Sequence, residues 1–465
     1  MARGKKKETL TPEERLQAAL VPESEQPYKV PENWCWTRME NIAQWGSGGT
    51  PSRKIPEYYN GDIPWIKTGE LNDNYIFETE EHITQEAISH SSAKLFPVNT
   101  VAIAMYGATI GKVGILGIAA TTNQACACGV SNPSTNYKYL FYYARSQKEN
   151  FIKKGKGGAQ PNISQDIIKS HEFPLPPLSE QQRIVDRIES LFAKLDEAKQ
   201  KAQDALDSFE TRKAAILHKA FTGELTAQWR KEHGVGMESW EEKTINDIGD
   251  VKGGKRIPKG MELTYENTGH PYLKAGNLKK GTVIASGMMY VTDEVLQYIK
   301  NYTVSEGDVY ITNVGACIGD CGIIPQEYDG ANLTENAVKI TNLKCNNKWL
   351  SYYLSGSSVQ QKIKSMIASA TLGKLSIANI KKIGLNIPMC LDEQTEIVRL
   401  LDNLLAKEHQ VKEAAEGVLE QIDLIKKSIL ARAFRGELGT NDPSEESAVE
   451  LVKECLHIGG ADCEI

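Results

Sequence analysis

Two long segments with the same heptad pattern, 179–225 and 392–438, constrain this chain more than any other feature. In each segment apolar residues alternate at intervals of four and three, beginning at Ile184 in the first and at Ile397 in the second. A mean spacing of about 3.5 residues keeps a narrow apolar stripe facing one partner helix. The pattern therefore predicts two coiled-coil helices, each the partner of the other, that pack as antiparallel rods.

Both segments also carry start and stop signals. Prolines precede them, and Ser179 to Gln182 in the first and Asp392 in the second predict capping boxes at the helix starts. Both end in the pattern Ala-Phe-x-Gly-Glu-Leu, in which Gly223 and Gly436 can adopt the left-handed conformation that closes a helix. At about 1.5 Å per residue, each segment would form a rod of about 60 Å.

The regions outside the rods are copies as well. Residues 64–71 match 271–278, and the glycine-rich segment 106–115 matches 314–323 in the same order along the chain. Such an ordered series of matches indicates a tandem duplication of a globular unit followed by a long helix. Short apolar strands with glycine turns and a few helices within each unit predict an α+β fold, rich in strands.

The predicted organisation has seven parts, related by an internal pseudo-two-fold repeat. They are an N-terminal arm with a short helix (1–30), a first globular domain (31–178), a first long helix (179–225), a linker (226–236), a second globular domain (237–391), a second long helix (392–438) and a C-terminal tail with a short helix (439–465).

Composition excludes several classes of protein. No apolar run approaches the length of a membrane span, and the N-terminal segment lacks the apolar core of a signal peptide, so a cytoplasmic location is expected. Nine cysteines without a Cys-x-x-Cys pair suit reduced thiols, and Cys126 with Cys128 suits two core positions on a strand better than a metal site. The net charge of −6 does not exclude DNA binding, because a local basic surface suffices.

The chain shows no arrangement of residues typical of an enzyme. Gly107 to Lys112 is one residue shorter than a phosphate-binding loop, lacks its hydroxyl residue, and has Asp320 in place of the lysine in the second copy. A glycine hairpin between two strands is the simpler interpretation. No catalytic residue and no metal ligand is therefore predicted.

Basic and amide-bearing loops at the ends of strands remain as the candidate functional features. Glycine allows a ligand close to the backbone, Lys and Arg pair with phosphates, and Gln and Asn can pair with base edges. Solvated surface loops are the alternative for any one of them. The candidate DNA-binding residues are Arg53, Lys54, Lys67, Lys112, Lys153, Lys154, Lys156, Gln160, Asn162, Lys255, Arg256, Lys259, Lys274, Asn277, Asn313 and Lys374.

Two domains of one framework on antiparallel rods predict contact with two DNA half-sites at a fixed separation. Because the loops differ between the copies, the half-sites should differ too, which makes the target bipartite and asymmetric. A rod of about 60 Å and about 3.4 Å per base pair limit the separation to less than about two helical turns. A coiled-coil scaffold that binds proteins without recognising DNA is the alternative.

The two repeats, the Leu-Ser-Glu-Gln-Gln and Leu-Asp-Glu-Gln-Thr helix starts and the Ala-Phe-x-Gly-Glu-Leu ends resemble the specificity subunit of type I restriction–modification systems. The resemblance implies two target-recognition domains that bind double-stranded DNA. It also implies assembly with two modification subunits, which bring S-adenosylmethionine and methylate adenine N6, and with restriction subunits that bring ATP-driven translocation and cleavage. No cofactor is then expected on this chain, and a self-sufficient nuclease or methyltransferase is the other alternative.

Overall fold

A computed structural model describes residues 11–155, 162–279, 281–368 and 373–458. Their contacts divide the chain into two units. The first unit comprises the described parts of Met1–Lys201 and Val418–Ile465, and the second comprises those of Ala202–Gly417. None of the helices in these described ranges is long and apolar enough to cross a membrane.

The first unit begins with helix α1 (Pro12–Ala19), which has the capping box between Thr11 and Glu14 that its sequence predicts. The strands of its globular domain are β1 (Cys35–Arg38), β2 (Ala43–Ser47), β3 (Tyr59–Ile66), β4 (Asn74–Ile76), β5 (His82–Ile83), β6 (Val101–Ala104), β7 (Val113–Leu116), β8 (Thr121–Thr122), β9 (Cys126–Ser131) and β10 (Glu172–Leu175). Its helices are α2 (Gln85–Ser89), α3 (Tyr137–Ser146), α4 (Lys148–Lys154), α5 (Gln165–Lys169) and the long α6 (Leu178–Asp207).

The second unit begins close to the end of α6 and continues with α7 (Phe209–Phe221) and α8 (Ala227–His233). Its strands are β11 (Trp240–Thr244), β12 (Asp250–Gly253), β13 (Pro271–Leu273), β14 (Leu278–Lys279), β15 (Thr282–Val283), β16 (Met289–Tyr290), β17 (Val309–Thr312), β18 (Cys321–Ile323), β19 (Asn332–Leu333), β20 (Ala337–Thr341) and β21 (Gly384–Pro388). Its domain helices are α9 (Ile245–Ile248), α10 (Asp293–Ile299), α11 (Asn347–Ser355), α12 (Ser357–Ala368) and α13 (Ile377–Lys381). Helix α14 (Leu391–Ala433) contributes residues to both units, and α15 (Val449–Ile458) belongs to the first.

The two globular domains have matching sheets, as the duplication predicts. The order β2-β9-β6-β7 in the first corresponds to β12-β20-β17-β18 in the second, and β5-β3-β8 corresponds to β16-β13-β19. The first and last strands of each domain also pair in the same way, as β1-β10 and β11-β21. The α+β class and the two-domain repeat are therefore confirmed.

One difference concerns the edge of the larger sheet. In the first domain β4 pairs in parallel with β7 and adds a fifth strand. In the second domain the corresponding segment forms the β14-β15 hairpin, and only a parallel bridge between Gly281 and Gly322 remains. The large core of each unit lies between its main sheet, its domain helices and segments of the long helices.

The long helices are antiparallel within each unit. In the second unit Lys412 Nζ lies 5.1 Å from the ring centroid of Phe209, and Arg212 Nε lies 2.8 Å from Glu408 Oε2. The residue numbers thus rise on one helix as they fall on the other. Arg212 and Glu408 are the polar residues that interrupt the two apolar stripes, so the two interruptions form one ion pair.

The first long helix is not continuous, contrary to the prediction for 179–225. It breaks at Ser208 into α6 and α7. The interruption is local: the Ser208 hydroxyl donates to the Asp204 carbonyl at 2.6 Å, and the Ser208 N–H still donates to the same carbonyl at 3.1 Å, so the backbone ladder runs past this residue. The second long helix is unbroken from Leu391 to Ala433, which agrees with its predicted pattern.

Part of the predicted apolar stripe on α14 does not face a partner helix. Val411, Val418 and Ile425 are 47%, 40% and 41% exposed, whereas Ala415 and Ile422 are buried. The heptad rule had assigned all five to one seam. The first three lie on one flank of α14 and remain apolar at the surface.

The residues at the start of each long helix bond to the neighbouring globular domain. The capping box predicted at Ser179 does not form. Helix α6 already begins at Leu178, and the Ser179 hydroxyl donates to Glu445 at 2.5 Å. Gln181 Oε1 accepts from the Asn136 backbone N–H at 2.8 Å. In the second unit Gln394 Oε1 accepts from the Asn346 backbone N–H at 2.7 Å. The repeated glutamine thus binds the backbone N–H that directly precedes α3 in the first unit and α11 in the second.

The first and last described helices both pack on the first unit. Leu16 of α1 and Val452 of α15 belong to the same hydrophobic core. The short helix predicted within 439–465 begins at Val449, although Asp442-Pro443 in the sequence resembles a helix start. Instead, Asp442 lies in a turn, where its carbonyl accepts from the Asn33 side chain at 3.0 Å.

Candidate nucleic-acid interface

Three strands of the main sheet in each domain meet at one end. In the first domain β2 and β6 end where β9 begins, with Ser47 opposite Ala127 and Ala104 opposite Cys126. In the second domain β12 and β17 end where β20 begins, with Gly253 opposite Val338. We call this end the loop edge. It comprises 48–54, 105–112 and 123–125 in the first domain, and 254–260, 313–320 and 334–336 in the second.

The register of the sheets corrects the alignment of the two basic loops. Because Ser47 and Gly253 occupy the same position, Gly48 corresponds to Gly254. If the basic residues are matched by type alone, Arg53-Lys54 falls opposite Lys255-Arg256, whereas the register sets Arg53 opposite Lys259. In the structure, Thr50 corresponds to Arg256.

Hydrogen bonds anchor both basic loops to their sheets in the same way. The Gly49 N–H donates to the Thr122 carbonyl at 2.9 Å, and Trp65 Nε1 donates to the Gly49 carbonyl at 2.9 Å. In the second domain, Lys255 N–H donates to a β19 carbonyl at 2.8 Å, and the Tyr272 hydroxyl donates to the Lys255 carbonyl at 2.8 Å. An aromatic residue on the same strand position thus holds each loop, so its side chains project from a fixed backbone.

Substitution of Gly48 by alanine should destabilise the first domain by about 1–3 kcal/mol, the usual cost of overpacking. A Cβ there would lie 2.0 Å from the Thr122 carbonyl oxygen, so the basic loop would have to move. Gly69→Ala is the matched control, because nothing lies within 4 Å of its Cβ position. Thermal unfolding measures both, and equal effects would contradict close packing of the loop.

The first loop edge places a fixed arginine among aromatic and acidic groups. The Arg53 guanidinium lies 4.2 Å from the Tyr59 ring centroid and 5.1 Å from that of Trp65. It pairs with Glu81 at 2.6 Å, and Lys67 pairs with the same carboxylate at 3.0 Å. The hydrogen bond from Arg53 lowers the pKa of Glu81, so this carboxylate stays ionised and orients both cations at neutral pH.

The second loop edge has the same plan with different groups. Arg256 Nε donates to Glu335 at 2.5 Å, and Lys255 Nζ lies 5.5 Å from the Tyr302 ring centroid. At the equivalent position of the first domain, the Thr50 hydroxyl donates to Gln124. A charged pair in one domain therefore replaces a neutral pair in the other, and the two edges present different hydrogen-bonding groups.

Other predicted residues fall into three groups. Lys54, Lys153, Asn162, Lys259 and Lys374 are exposed, and Lys112 and Lys274 are half-buried. Lys154 Nζ lies 3.0 Å from His171 Nδ1, and burial lowers the pKa of His171 to about 4, so this ring is neutral at pH 7. Lys156 and Gln160 lie outside the described residues.

The structure contradicts Asn277 as a DNA-binding residue. Asn277 is 2% exposed, and its Nδ2 donates to the carbonyls of Ile284 at 3.0 Å and Ser286 at 3.1 Å. It therefore holds the β14-β15 hairpin together. Asn313 lies at the loop edge but is 9% exposed, at the position that Met105 occupies in the first domain, so its side chain is turned away from the surface.

Sequence reasoning missed the residues that orient the basic loops. Gln124 and Glu335 follow short buried strands in the two copies, and Tyr59 and Trp65 form the aromatic surface under Arg53. The available signal was the equivalent position of two polar segments, Thr122-Asn-Gln124 and Leu333-Thr-Glu335, which the comparison of the copies did not include.

No group of three His, Cys, Asp or Glu residues suited to a metal ion occurs in the part of the chain that the structure describes. Cys126 and Cys128 are fully buried on β9, and the Cys128 thiol lies 3.5 Å from the Thr122 hydroxyl. Burial raises the pKa of Cys128 to about 12, so it remains a thiol. Both residues are structural members of the core.

Comparisons with known proteins agree with the duplicated architecture. The profile of the type I restriction modification DNA specificity domain matches twice, at residues 31–206 and 237–420. The MjaIX specificity subunit of Methanocaldococcus jannaschii is 28% identical over 77% of this chain and 84% of its own length. The EcoKI specificity subunit of Escherichia coli K12 is 22% identical over 88% of this chain and 90% of its own length.

Solved structures show the same fold. The HsdS subunit from Thermoanaerobacter tengcongensis superposes with a TM-score of 0.66 at 19% identity, covering 89% of this chain and 100% of that one. A chain from a study of complex assembly and conformational transition of the type I R-M system gives a TM-score of 0.64 at 20% identity over 89% of this chain and 100% of that one.

The relatives are named as specificity subunits, which are the non-catalytic recognition components of type I restriction enzymes. The double profile match, the repeated domains and their long helices lead to one assignment: the chain belongs to the type I restriction modification DNA specificity family.

Proposed function

We propose that the chain recognises a bipartite, asymmetric DNA sequence, one half with each globular domain, and directs modification and restriction subunits to it. The observation that carries this proposal is the pair of loop edges, which share one scaffold and present different side chains. Glycine backbones, fixed arginines and amides are the groups that contact phosphates and base edges in DNA interfaces. The proposed site of action is the cytoplasm, where DNA and these subunits would be.

The loop edges differ in a way that suits two different half-sites. The neutral Thr50–Gln124 pair can both donate and accept hydrogen bonds, whereas Arg256 with Glu335 offers a cation beside an acceptor. An amide pairs well with adenine and an arginine with guanine in the major groove. We infer that the first domain makes an amide contact at the position where the second makes an arginine contact.

The surface of α14 supports the proposed partner binding. Val411 in the second unit and Val418 and Ile425 in the first are apolar and exposed, although the heptad pattern repeats through them. Apolar positions at heptad spacing are what an added helix packs against. We infer that a helix of a modification subunit binds in each unit. S-adenosylmethionine and ATP would then belong to the partner subunits, which would also flip the target adenine out of the duplex.

Replacing residues 31–178 with those of a relative of different specificity should change one half of the methylated target and leave the other half and the gap unchanged. The reason is that each domain has its own sheet, core and loop edge. Sequencing methylated adenines in a host that carries the chimera and its modification subunits measures the outcome. The reciprocal exchange of 237–391 is the matched control. A change in both halves from one exchange would contradict independent recognition.

A coiled-coil scaffold without DNA recognition makes the opposite prediction for binding. The affinity of the assembled complex for duplex DNA should fall steeply with salt if Lys and Arg side chains neutralise phosphates. Gel shifts of target and random duplexes at two salt concentrations test this. Equal and weak binding to both duplexes would favour the scaffold.

A further inference from the structure

The first unit contains a cleft of about 1060 Å³ between its domain and the end of α14. The α3–α4 corner and the strand start at Glu172 form one side, and residues 423–435 of the long helix and the turn after it form the other. Tyr28 from the N-terminal arm closes one end. All of these residues belong to a single unit.

Several cations of the cleft are already paired. Arg145 lies 3.3 Å from Asp73, and Lys427 lies 2.8 Å from Glu149, so these charges are matched within the cleft. Lys426 is likewise paired, with Asp196 at 2.5 Å. These pairs shape the walls of the cleft and leave little charge for a ligand.

Three further cations of the cleft form no ion pair, and among the described residues one carboxylate that lines it, Asp423, forms none either. Among the residues that the structure describes, Lys148, Lys153 and Arg435 form no ion pair, and Arg435 lies with its guanidinium 5.4 Å from the Tyr28 ring centroid. Lys153 and Arg435 are exposed, and Lys148 is half-buried. Three unpaired cations against one unpaired carboxylate give the cleft a local positive potential despite the negative net charge of the chain.

The second repeat has neutral residues at the three corresponding positions, although its helix α12 carries Lys362 and Lys364 elsewhere. Gly111 packs against Lys148, and the matching Gly319 packs against Gln360, which aligns Lys148 with a neutral amide. The same alignment sets Lys153 opposite Ser365. Because Phe434 and Phe221 pack on equivalent tyrosines, Arg435 corresponds to Thr222.

The cleft adjoins the first loop edge. A Cβ on Gly111 would lie 2.9 Å from the Lys148 Cα, so α4 begins directly beside the turn that carries Lys112. Basic residues therefore continue from the loop edge, along α4, to the end of α14. A ligand at the loop edge that extends past α4 meets Lys148 and Lys153.

We propose that this cleft binds the sugar–phosphate backbone of the DNA that flanks the first half-site, and that the second half-site has no such contact. The inference rests on the proposed function. Lys148, Lys153 and Arg435 would each neutralise a phosphate without recognising the sequence. The three cations occur together in one repeat only. The proposed protein partners would bind both repeats alike, whereas the two halves of the DNA target differ, so DNA fits a contact in one repeat better than an acidic protein segment does.

The test uses the full chain assembled with its modification subunits and a duplex that carries its methylation target. The triple variant Lys148→Gln, Lys153→Gln, Arg435→Gln should make the slope of log K against log salt less steep by about 2–3, since each phosphate contact contributes about 0.9. The triple variant Lys300→Gln, Lys362→Gln, Lys407→Gln removes equal charge from the second unit and should leave the slope unchanged.

Shortened duplexes locate the contact. Removing the flank beside the first half-site should weaken binding by the unsubstituted complex and have little effect on the cleft variant. Removing the flank beside the second half-site should affect the two proteins equally. An unchanged slope, or an equal loss of affinity by the unsubstituted complex and the cleft variant when the first flank is removed, would overturn the inference.

Two further outcomes distinguish failure of this inference from failure of the proposed function. A cleft variant that no longer assembles with the modification subunits in the absence of DNA would assign the cleft to an acidic protein segment and overturn the inference. An unsubstituted complex that does not distinguish target from random duplex would instead refute the proposed function. Target methylation should keep the same sequence in the cleft variant, because backbone contacts carry no base information.

Discussion

Replacement of Arg230 by methionine should destabilise the second unit by about 3–5 kcal/mol, the cost of leaving a buried charge without its partner. Arg230 Nη1 donates to Glu393 Oε1 at 2.6 Å, and the Glu393 side chain is fully buried. After the substitution the carboxylate keeps only Thr226, at 2.8 Å, and Trp240, at 3.2 Å. These two neutral donors cannot compensate for its lost hydration.

Hydrogen exchange at β11 and β21 measures this effect, because these strands pair directly beside Glu393. The double variant Arg230→Met, Glu393→Leu should recover most of the lost stability, since no buried charge remains. If the double variant exchanged as fast as the single one, packing by the arginine stem and not its charge would explain the loss.

The first unit supplies a matched comparison. Glu180 is also fully buried, but its partners are neutral: Trp34 Nε1 at 2.7 Å, Asn441 Nδ2 at 2.8 Å and the Thr440 hydroxyl at 3.3 Å. Asn441→Leu removes one neutral donor of several and should cost about 1–3 kcal/mol. A loss of stability as large as that from Arg230→Met would show that the buried clusters around Glu180 and Glu393 contribute equally to stability.

Replacement of Phe434 by alanine should destabilise the first unit by about 3–5 kcal/mol, as is usual for a phenylalanine removed from a core. Its ring is 1% exposed and makes edge-to-face contacts with Tyr139 and Tyr143, at centroid distances of 5.3 Å and 5.1 Å. Its loss would leave a cavity between the end of α14 and α3. Hydrogen exchange in α3 reports the effect.

Phe221→Ala is the matched substitution in the second unit. Phe221 contacts Trp349 at 5.6 Å and Tyr353 at 5.0 Å, but it is only partly buried. A smaller loss than for Phe434→Ala is expected, because less apolar surface returns to water. Equal losses would indicate that the aromatic contact, and not burial, dominates at this repeated position.

Much of the architecture could be predicted because it is local or periodic. The heptad pattern located the long helices, and the ordered matches between the copies established two domains of one fold. The helix break at Ser208 was not predictable from periodicity, because the apolar pattern continues through it. The exposed Val411 was assigned to the seam for the same reason: a heptad pattern gives the face of a helix but not how much of that face its partner covers.

The candidate interface was predicted less completely. The basic loops were located correctly at the ends of strands, yet matching Arg53 with Lys255 displaced their mutual alignment by about four residues from the sheet register, in which Gly48 corresponds to Gly254. Asn277 looked like a surface amide in the sequence, but its side chain holds a hairpin. Partners such as Gln124 and Glu335 are distant in sequence from the loops that they contact.

By itself, the amino-acid sequence determined the duplication, the α+β class, the long helices and the absence of a recognisable catalytic arrangement, because repetition and periodicity are properties of the chain order. Tertiary structure alone decided which polar residues face a ligand and which are internal partners. The physical reason is that hydrogen bonding and burial depend on contacts between distant segments: Glu180 and Glu393 look like surface helix-start residues, and both are enclosed by groups from other parts of the chain.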